Sequence, residues 1–407
     1  MSIHEMNSFY LVYSFGLSDL GLRELKDIYQ RVFQKEVVIQ STDDSGVLIE
    51  STLFEMMTLH YYLKCPTRIL LRINEFKVRD VPKLFGKMSK FNWKPYLCGQ
   101  TPSVSVSSHN SRLFDSRKIE KAIQDGVLEF YKKQPIKKKY QEHVNQLDSD
   151  KCTLPTLYYR SVDDVVTLSL DLSGELLHKR GDKIMTGLAP IRENLASLLL
   201  QEFNQHLSNE QISIKNIKSL IDPMSGSGTF LIEAHDQYQL KKDRDYAFLH
   251  TPFFIENQLI IEKHFQTLPQ SLGKSSFDNY IGMDQSEDIL KQATMNKKDR
   301  PIHLVRHSFF EGYELDKNKV ELFNSNDLYL ITNPPYGVRI GDKETINTVF
   351  YEKCVTEYIK IFKPHLKLLG IIVPKEHSPR FKDVKVKSKR PFKNGGLDLN
   401  FYVCEIL

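Results

Sequence analysis

At 407 residues the chain is long enough for two or three domains of ordinary size. Its 41% hydrophobic and 26% charged residues are the balance of a globular protein, and no run of about 18 apolar residues occurs, which excludes a membrane-spanning helix. The net charge of +5 suits an anionic partner without requiring one. Five scattered cysteines (Cys65, Cys98, Cys152, Cys354, Cys404) lack C-x-x-C spacing. They argue against a zinc site and predict reduced thiols in a cytoplasmic setting. The first ten residues carry no basic segment followed by an apolar core, so no signal peptide is expected.

Residues 9–14 are aromatic and aliphatic and read as a strand. From Ser18 to Phe33, Leu22, Leu25, Ile28, Tyr29 and Val32 recur at a helical period, with Ser18 or Asp19 as cap. Strands are expected at 37–39 and 46–50, a helix at 52–63, a strand at 68–73, a helix from Val81 and a strand near 103–106. Residues 117–132 form another amphipathic helix through Ile119, Ala122, Ile123, Val127 and Phe130. This alternation over some 175 residues predicts two small α+β units in place of one large sheet. Trp93 suits a core anchor better than a base-stacking surface. The basic run at 132–139, with Lys137 and Lys138, suits a solvated helix end or a phosphate contact.

Residues 165–172 alternate as a strand that turns at Ser173-Gly174. Lys179 and Arg180 follow, readable as surface charges or as contacts to a nucleic-acid backbone, and Pro190 suits the first turn of a helix reaching about Phe203. Residues 217–222 read as a strand ending at Asp222, after which Pro223-Met224-Ser225-Gly226-Ser227-Gly228-Thr229 leads into a helix. The glycines permit a tight turn and close approach of a ligand to the backbone. A third glycine would fall at Leu231 and no lysine follows, so this is neither a dinucleotide fingerprint nor a Walker A loop. Residues 280–284 end in Asp284, whose carboxylate suits the two hydroxyls of a ribose. The 62-residue gap from Asp222 to Asp284 far exceeds the roughly 20 of a minimal unit and predicts an insertion at 249–276, packed through Phe253, Phe254 and Phe265.

The strand at 302–307 is followed by Ser308 and Phe309, which suit either an adenine ring or the core. Residues 328–332 are apolar enough for a buried parallel strand, and Asn333-Pro334-Pro335-Tyr336 ends it stiffly. That tetrad suits attack by an exocyclic amine of a nucleobase, a poor nucleophile because its lone pair is delocalised into the ring. Acceptors on its two hydrogens, here the Asn333 amide oxygen and the Pro334 carbonyl, favour the tetrahedral form with a free lone pair. Tyr336 offers a face on which an extruded base can stack. Further on, residues 348–362 are helical and 366–373 form a buried strand. Residues 380–393 hold seven basic side chains, Arg390 among them, against Asp383 alone, and read as a solvated edge or a surface for RNA. A long strand at 397–407 ends the sequence.

Residues 67–76, 91–96 and 104–113 resemble the RNA-binding THUMP module of bacterial rRNA methyltransferases. Asp222–Thr229, Asp284 and the Asn-Pro-Pro-Tyr tetrad resemble the motifs of class I S-adenosylmethionine-dependent methyltransferases. In order and coverage the chain resembles the RlmL-like rRNA guanine-N2 methyltransferases, in a version with a single methyltransferase domain. That resemblance implies an α/β fold: a Rossmann-like sheet, its last strand inserted antiparallel, behind an N-terminal α+β region. The implied domains are a ferredoxin-like part at 1–65, a THUMP part at 66–175 and a catalytic domain at 176–407. It implies S-adenosylmethionine as cofactor, held by Asp222, Pro223, Met224, Ser225, Gly226, Gly228, Thr229, Asp284, Ser308, Phe309 and Asn333. Ser225 stands where close relatives often carry cysteine, and Ser308 where many class I enzymes carry aspartate. Asn333, Pro334, Pro335 and Tyr336 are the implied catalytic residues. Lys179, Arg180, Lys137, Lys138 and Arg390 are the candidate RNA contacts. The implied reaction is methylation of a guanine N2 in RNA, foremost 23S rRNA, without a metal or a membrane. DNA adenine-N6 and tRNA guanine-N2 methylation are the rivals.

Overall fold

Two seven-stranded sheets carry the chain in the computed structural model, which describes residues 2–147, 153–180, 191–207, 217–241, 244–308, 326–337 and 346–407. The first sheet is built from β1 (Met6–Val12), β2 (Val38–Asp43), β3 (Gly46–Thr52), β4 (Arg68–Lys77), β5 (Val104–His109), β6 (Leu157–Val162) and β7 (Val165–Asp171). Their order is β2-β3-β1-β4-β7-β6-β5, a single continuous sheet, which corrects the expectation of two separate units. The reason lies in β4, which at ten residues runs past the expected strand end at Ile73. It pairs antiparallel with β1 (Phe9↔Leu71) on one side and with β7 (Leu70↔Asp171) on the other. The helix expected to reach Leu63 is Leu53–Leu59, opened by a capping box between Thr52 and Glu55. Trp93 is fully buried and its indole N–H donates to the Met88 carbonyl at 2.8 Å, so it anchors the core.

The second sheet comprises β8 (Ile217–Asp222), β9 (Asn279–Asp284), β10 (Ile302–Arg306), β11 (Asn326–Thr332), β12 (Leu366–Pro374), β13 (Val384–Asn394) and β14 (Leu397–Ile406). The order is β10-β9-β8-β11-β12-β14-β13. Strands β8 to β12 are mutually parallel, and β14 is antiparallel to both of its neighbours. This is the Rossmann-like α/β sheet expected, with the last strand inserted. The chain steps outward from β8 to β10 and then returns to β11 on the opposite side of β8, so the strand order reverses between β8 and β11. Open α/β sheets bind ligands beyond the carboxyl ends of the strands at such a reversal. Burial explains the apolar runs: from Leu368 to Pro374 every residue of β12 is buried, and Leu328, Leu330, Ile371 and Tyr402 share one core with the helix Thr348–Phe362.

Two compact units emerge, and the chain alternates between them. The first holds Met1–Tyr13, Lys26–Leu177 and Leu240–Gln270, and the second holds Ser14–Leu25, His178–Gln239 and Ser271–Leu407. The expected insertion is packed, and it is part of the first unit although it lies in sequence between β8 and β9. The Lys241 N–H donates to Tyr61 O at 2.9 Å and the Phe248 N–H to Leu172 O at 3.0 Å. Hydroxyls of Tyr246 and Tyr62 reach His60 O (2.9 Å) and Pro269 O (2.7 Å). Edge contacts of Tyr61 with Tyr246 and Phe265 complete an aromatic cluster. No helix among the described residues is long and apolar enough to cross a membrane.

Candidate active site

Register puts the two key loops side by side. Leu330 of β11 pairs with Ile221 of β8, so the chain leaves the sheet at Asp222 and at Asn333 from adjacent parallel strands, at the same edge. On the far side of β8, Asp222 pairs with Gly282, and β9 carries Asp284 to that edge. Arg306 of β10 pairs with Asp284, and Ser308 follows. Gly282 is where β9 must stay bare: a Cβ there would lie 2.8–2.9 Å from the side chains of Leu304 and Leu231.

Gly226 and Gly228 have φ of +53° and +82°, the left-handed region that favours glycine. A Cβ at Gly226 would meet nothing within 4 Å, so torsion fixes glycine there and the peptide remains approachable. The loop is held from three directions. The Ser225 N–H donates to Met283 O (2.8 Å), the Gly226 N–H to Asp284 Oδ2 (3.2 Å), and Asn296 Nδ2 to Ser227 O (3.2 Å). Asp222 accepts from the Met224 N–H at 3.1 Å.

Burial, reinforced by repulsion from Asp284, pushes the Asp222 carboxyl up to about 8 from an ordinary 3.8, against the opposing Met224 N–H and Thr332 hydroxyl. Burial raises Asp284 as well, opposed by backbone N–H groups of Ser286, Gly226 and Gln285. With its folded value raised, Asp222 lends the cofactor-free fold a stability that is complete below about pH 4 and is lost as pH rises through about 8. Thermal denaturation between pH 5 and 8.5 should therefore show a falling midpoint, and Asp222→Asn should flatten that fall. An equal slope in the variant would remove Asp222 as its source.

On the other loop, the Tyr336 hydroxyl donates to Asn333 Oδ1. Burial raises the Tyr336 pKa, so this group stays a donor. The bond fixes which end of the Asn333 amide is the acceptor, and the second lone pair on that oxygen is left for a ligand. The Tyr351 hydroxyl donates to Pro335 O at 3.0 Å, while nothing among the described residues donates to the Pro334 carbonyl.

Residues 180–402 match the family described as UPF0020, RMKL-like, methyltransferase domain. The chain belongs to this family. Among curated relatives, the ribosomal RNA large subunit methyltransferase K/L of Marinomonas sp. is 24% identical over 94% of this chain and 52% of its own length. The protein of the same name from Psychromonas ingrahamii is 29% identical over 78% of this chain and 41% of its own length. The chain thus spans about half the length, or less, of these relatives. SMU.472, crystallised as a complex with SAH, shares the fold with a TM-score of 0.71 at 20% identity, over 98% of each chain. An UPF0020 methyltransferase domain uses S-adenosylmethionine, and the loop fits it. The hydroxyls of Ser225 and Ser308 are buried at this edge without a hydrogen-bond partner among the described residues, and the Gly226 backbone is open to approach.

The edge therefore unites Asp222, Pro223, Met224, Ser225, Gly226, Gly228, Thr229, Asp284, Ser308 and Asn333; Phe309 lies outside the described residues. The basic candidates are placed differently. The Arg180 guanidinium is only 7% exposed and is bonded to Glu233, itself bonded to Ser197 Oγ at 2.5 Å, which withdraws Arg180 from the surface. Arg390 of β13 is held by Asp19 Oδ2 and Glu202 Oε2, both at 3.0 Å. Lys137 is exposed but sits 2.8 Å from Glu256, whereas Lys138, 3.3 Å from Glu142, and Lys179 are exposed. Sequence reasoning missed Tyr351 and Asn296, the buttresses of the two loops. Tyr351 had a signal, since Tyr351, Cys354, Val355, Tyr358 and Phe362 keep a helical period facing the strand; Asn296 had none. Among the described residues, no group of His, Cys, Asp or Glu is arranged to hold a metal ion.

Proposed function

We propose that the chain methylates the exocyclic N2 of a guanine in RNA, with ribosomal RNA as the substrate. The carrying observation is the adjacency of the glycine loop and the Asn333 loop on neighbouring strand tips, at the reversal of the sheet. When bound, S-adenosylmethionine supplies an activated methyl group, whose bond to sulfur breaks as the amine's lone pair forms the new N–C bond, leaving the thioether and a proton for solvent. The chain's own part is positioning. Asp222 and the Gly226–Gly228 backbone hold the amino-acid end of the cofactor, and Asp284 holds the ribose hydroxyls. Asn333 Oδ1 and the Pro334 carbonyl accept the two hydrogens of the attacking amine, and Tyr336 stacks the base. The Tyr336–Asn333 and Tyr351–Pro335 bonds aim these acceptors before substrate arrives, so alignment supplies most of the acceleration.

The RNA assignment is supported by the names of the curated relatives and by the N-terminal sequence, read as a ferredoxin-like part (1–65) and a THUMP part (66–175). Lys137, Lys138 and Lys179 are the exposed cations offered to its phosphates. Incubating the protein with labelled S-adenosylmethionine and either structured rRNA or duplex DNA, followed by nucleoside mass spectrometry, tests the reading. N2-methylguanosine from the RNA is expected; N6-methyladenine from the DNA would overturn it. Asp284→Ala should weaken cofactor binding about 10–100-fold by calorimetry, since it removes charge-assisted hydrogen bonds. An unchanged dissociation constant would displace Asp284 from the ribose.

A further inference from the structure

A cavity of about 390 Å³ opens beside Tyr336. Its walls are Pro374, Lys375 and Glu376, at the carboxyl end of β12, together with Leu397 and Asp398, at the start of β14. The two walls are stitched by the pairing of Pro374 with Leu399 and by the Lys375 N–H donating to Asp398 O at 3.0 Å. The pocket therefore combines an aromatic residue of the proposed catalytic tetrad, apolar walls of proline and leucine, and three charged side chains. That is the make-up of a site for a flat, polar-edged molecule.

The charged groups differ in what they have left to offer. Asp398 Oδ1 lies 3.5 Å from the Lys393 ammonium, its cross-strand partner. Of the described basic side chains, the one paired with Glu376 is His377, whose Nε2 lies 3.8 Å away, beyond hydrogen-bond range. The Glu376 carboxylate thus faces solvent and cavity without a hydrogen bond among the described residues. An ionised carboxylate only accepts hydrogen bonds. A guanine placed with its N2 hydrogens on Asn333 Oδ1 and the Pro334 carbonyl still presents N1–H, a donor, flanked by O6, an acceptor. An adenine presents a bare N1 acceptor beside its amine, which a carboxylate repels. Glu376 matches the guanine pattern, as an acceptor for N1–H, and mismatches the adenine one.

We infer that Glu376 is the residue that selects guanine, by accepting the N1–H of the base that stacks on Tyr336. This rests on the guanine-N2 reading given above and names the group that enforces it. The test is single-turnover methyl transfer to the rRNA fragment the protein methylates, made with guanine or with 2-aminopurine at the acceptor position. 2-Aminopurine keeps the N2 amine and lacks N1–H and O6. Wild type should prefer guanine by about 10–100-fold, the size expected for one charge-assisted contact at an open site. Glu376→Gln and Glu376→Ala should slow guanine methylation and bring the two rates within about threefold, with the cofactor dissociation constant unchanged. Asp398→Asn should keep the wild-type preference. A preference that survives both Glu376 variants would overturn the assignment and leave the guanine-N2 reading standing. Methyl transfer by wild type to adenine alone would overturn both.

Discussion

An Asn333→Ala chain is expected to bind its cofactor nearly as tightly as wild type and to transfer methyl groups about 10²–10³-fold more slowly, its barrier raised by ~3–4 kcal/mol. In the proposed reaction the amide oxygen engages the amine as its lone pair is freed, so its removal acts on the reacting state and spares the ground state. The substitution also takes from the buried Tyr336 hydroxyl the oxygen to which it donates, leaving it Asn394. Part of the loss will therefore be misalignment of the stacking ring. Asn333→Asp separates the two effects: it keeps an acceptor for both the amine and Tyr336 and should retain clearly more activity than alanine. Single-turnover rates alongside calorimetric cofactor affinities make the comparison. Equal rates for the two variants would show that the acceptor at this position does no chemistry.

The second large effect concerns folding. Arg180→Met should lower the stability of the catalytic unit by about 3–5 kcal/mol, because it leaves the Glu233 carboxylate buried without its cation. Glu233 is 4% exposed and holds Arg180 and Ser197 together from the helix Thr229–His235, which starts directly after the glycine loop. For a unit of this size that cost lowers the midpoint of thermal unfolding by about 10 °C. Replacing both partners, Arg180→Met with Glu233→Leu, should recover most of it, since neither charge is then buried alone. A single variant with unaltered melting and weakened RNA binding would return Arg180 to the role of a phosphate contact.

How much of this was legible beforehand depended on range. The strand tips at Asp222, Asp284 and Asn333 could be read from apolar runs that stop at a polar residue, because the signal for a buried parallel strand is local. Gly226 and Gly228 announced themselves for the same reason: the torsions that need glycine belong to the residue itself. The joining of the N-terminal strands into one sheet was not legible. It depends on β4 pairing with β7, about 100 residues away, and no periodicity records which strand a neighbour will be. The same holds for charges. Arg180 looks in sequence like any surface cation, and only the fold brings Glu233, 53 residues on, against it. Arg390 is tied to Asp19 and Glu202 across still longer separations. Partners that come from far along the chain leave no local signal, whereas torsions that belong to the residue itself do. The pocket beside Tyr336 belongs to the first kind, since its walls come from two strands and a loop separated in sequence.

The segment Leu240–Gln270 completes the first unit from a position between two strands of the second. On a ribosome this orders events in time. Residues 26–177 emerge with the ledge around Tyr61, Tyr62 and Leu172 still bare, and they wait for Tyr246, Phe248 and Pro269 to be synthesised. By then β8 and the glycine loop have already been made without β9 or β11 to pair with. Neither unit can close before the other has begun, so a nascent chain halted near residue 230 holds two unfinished halves and is a natural client for a chaperone.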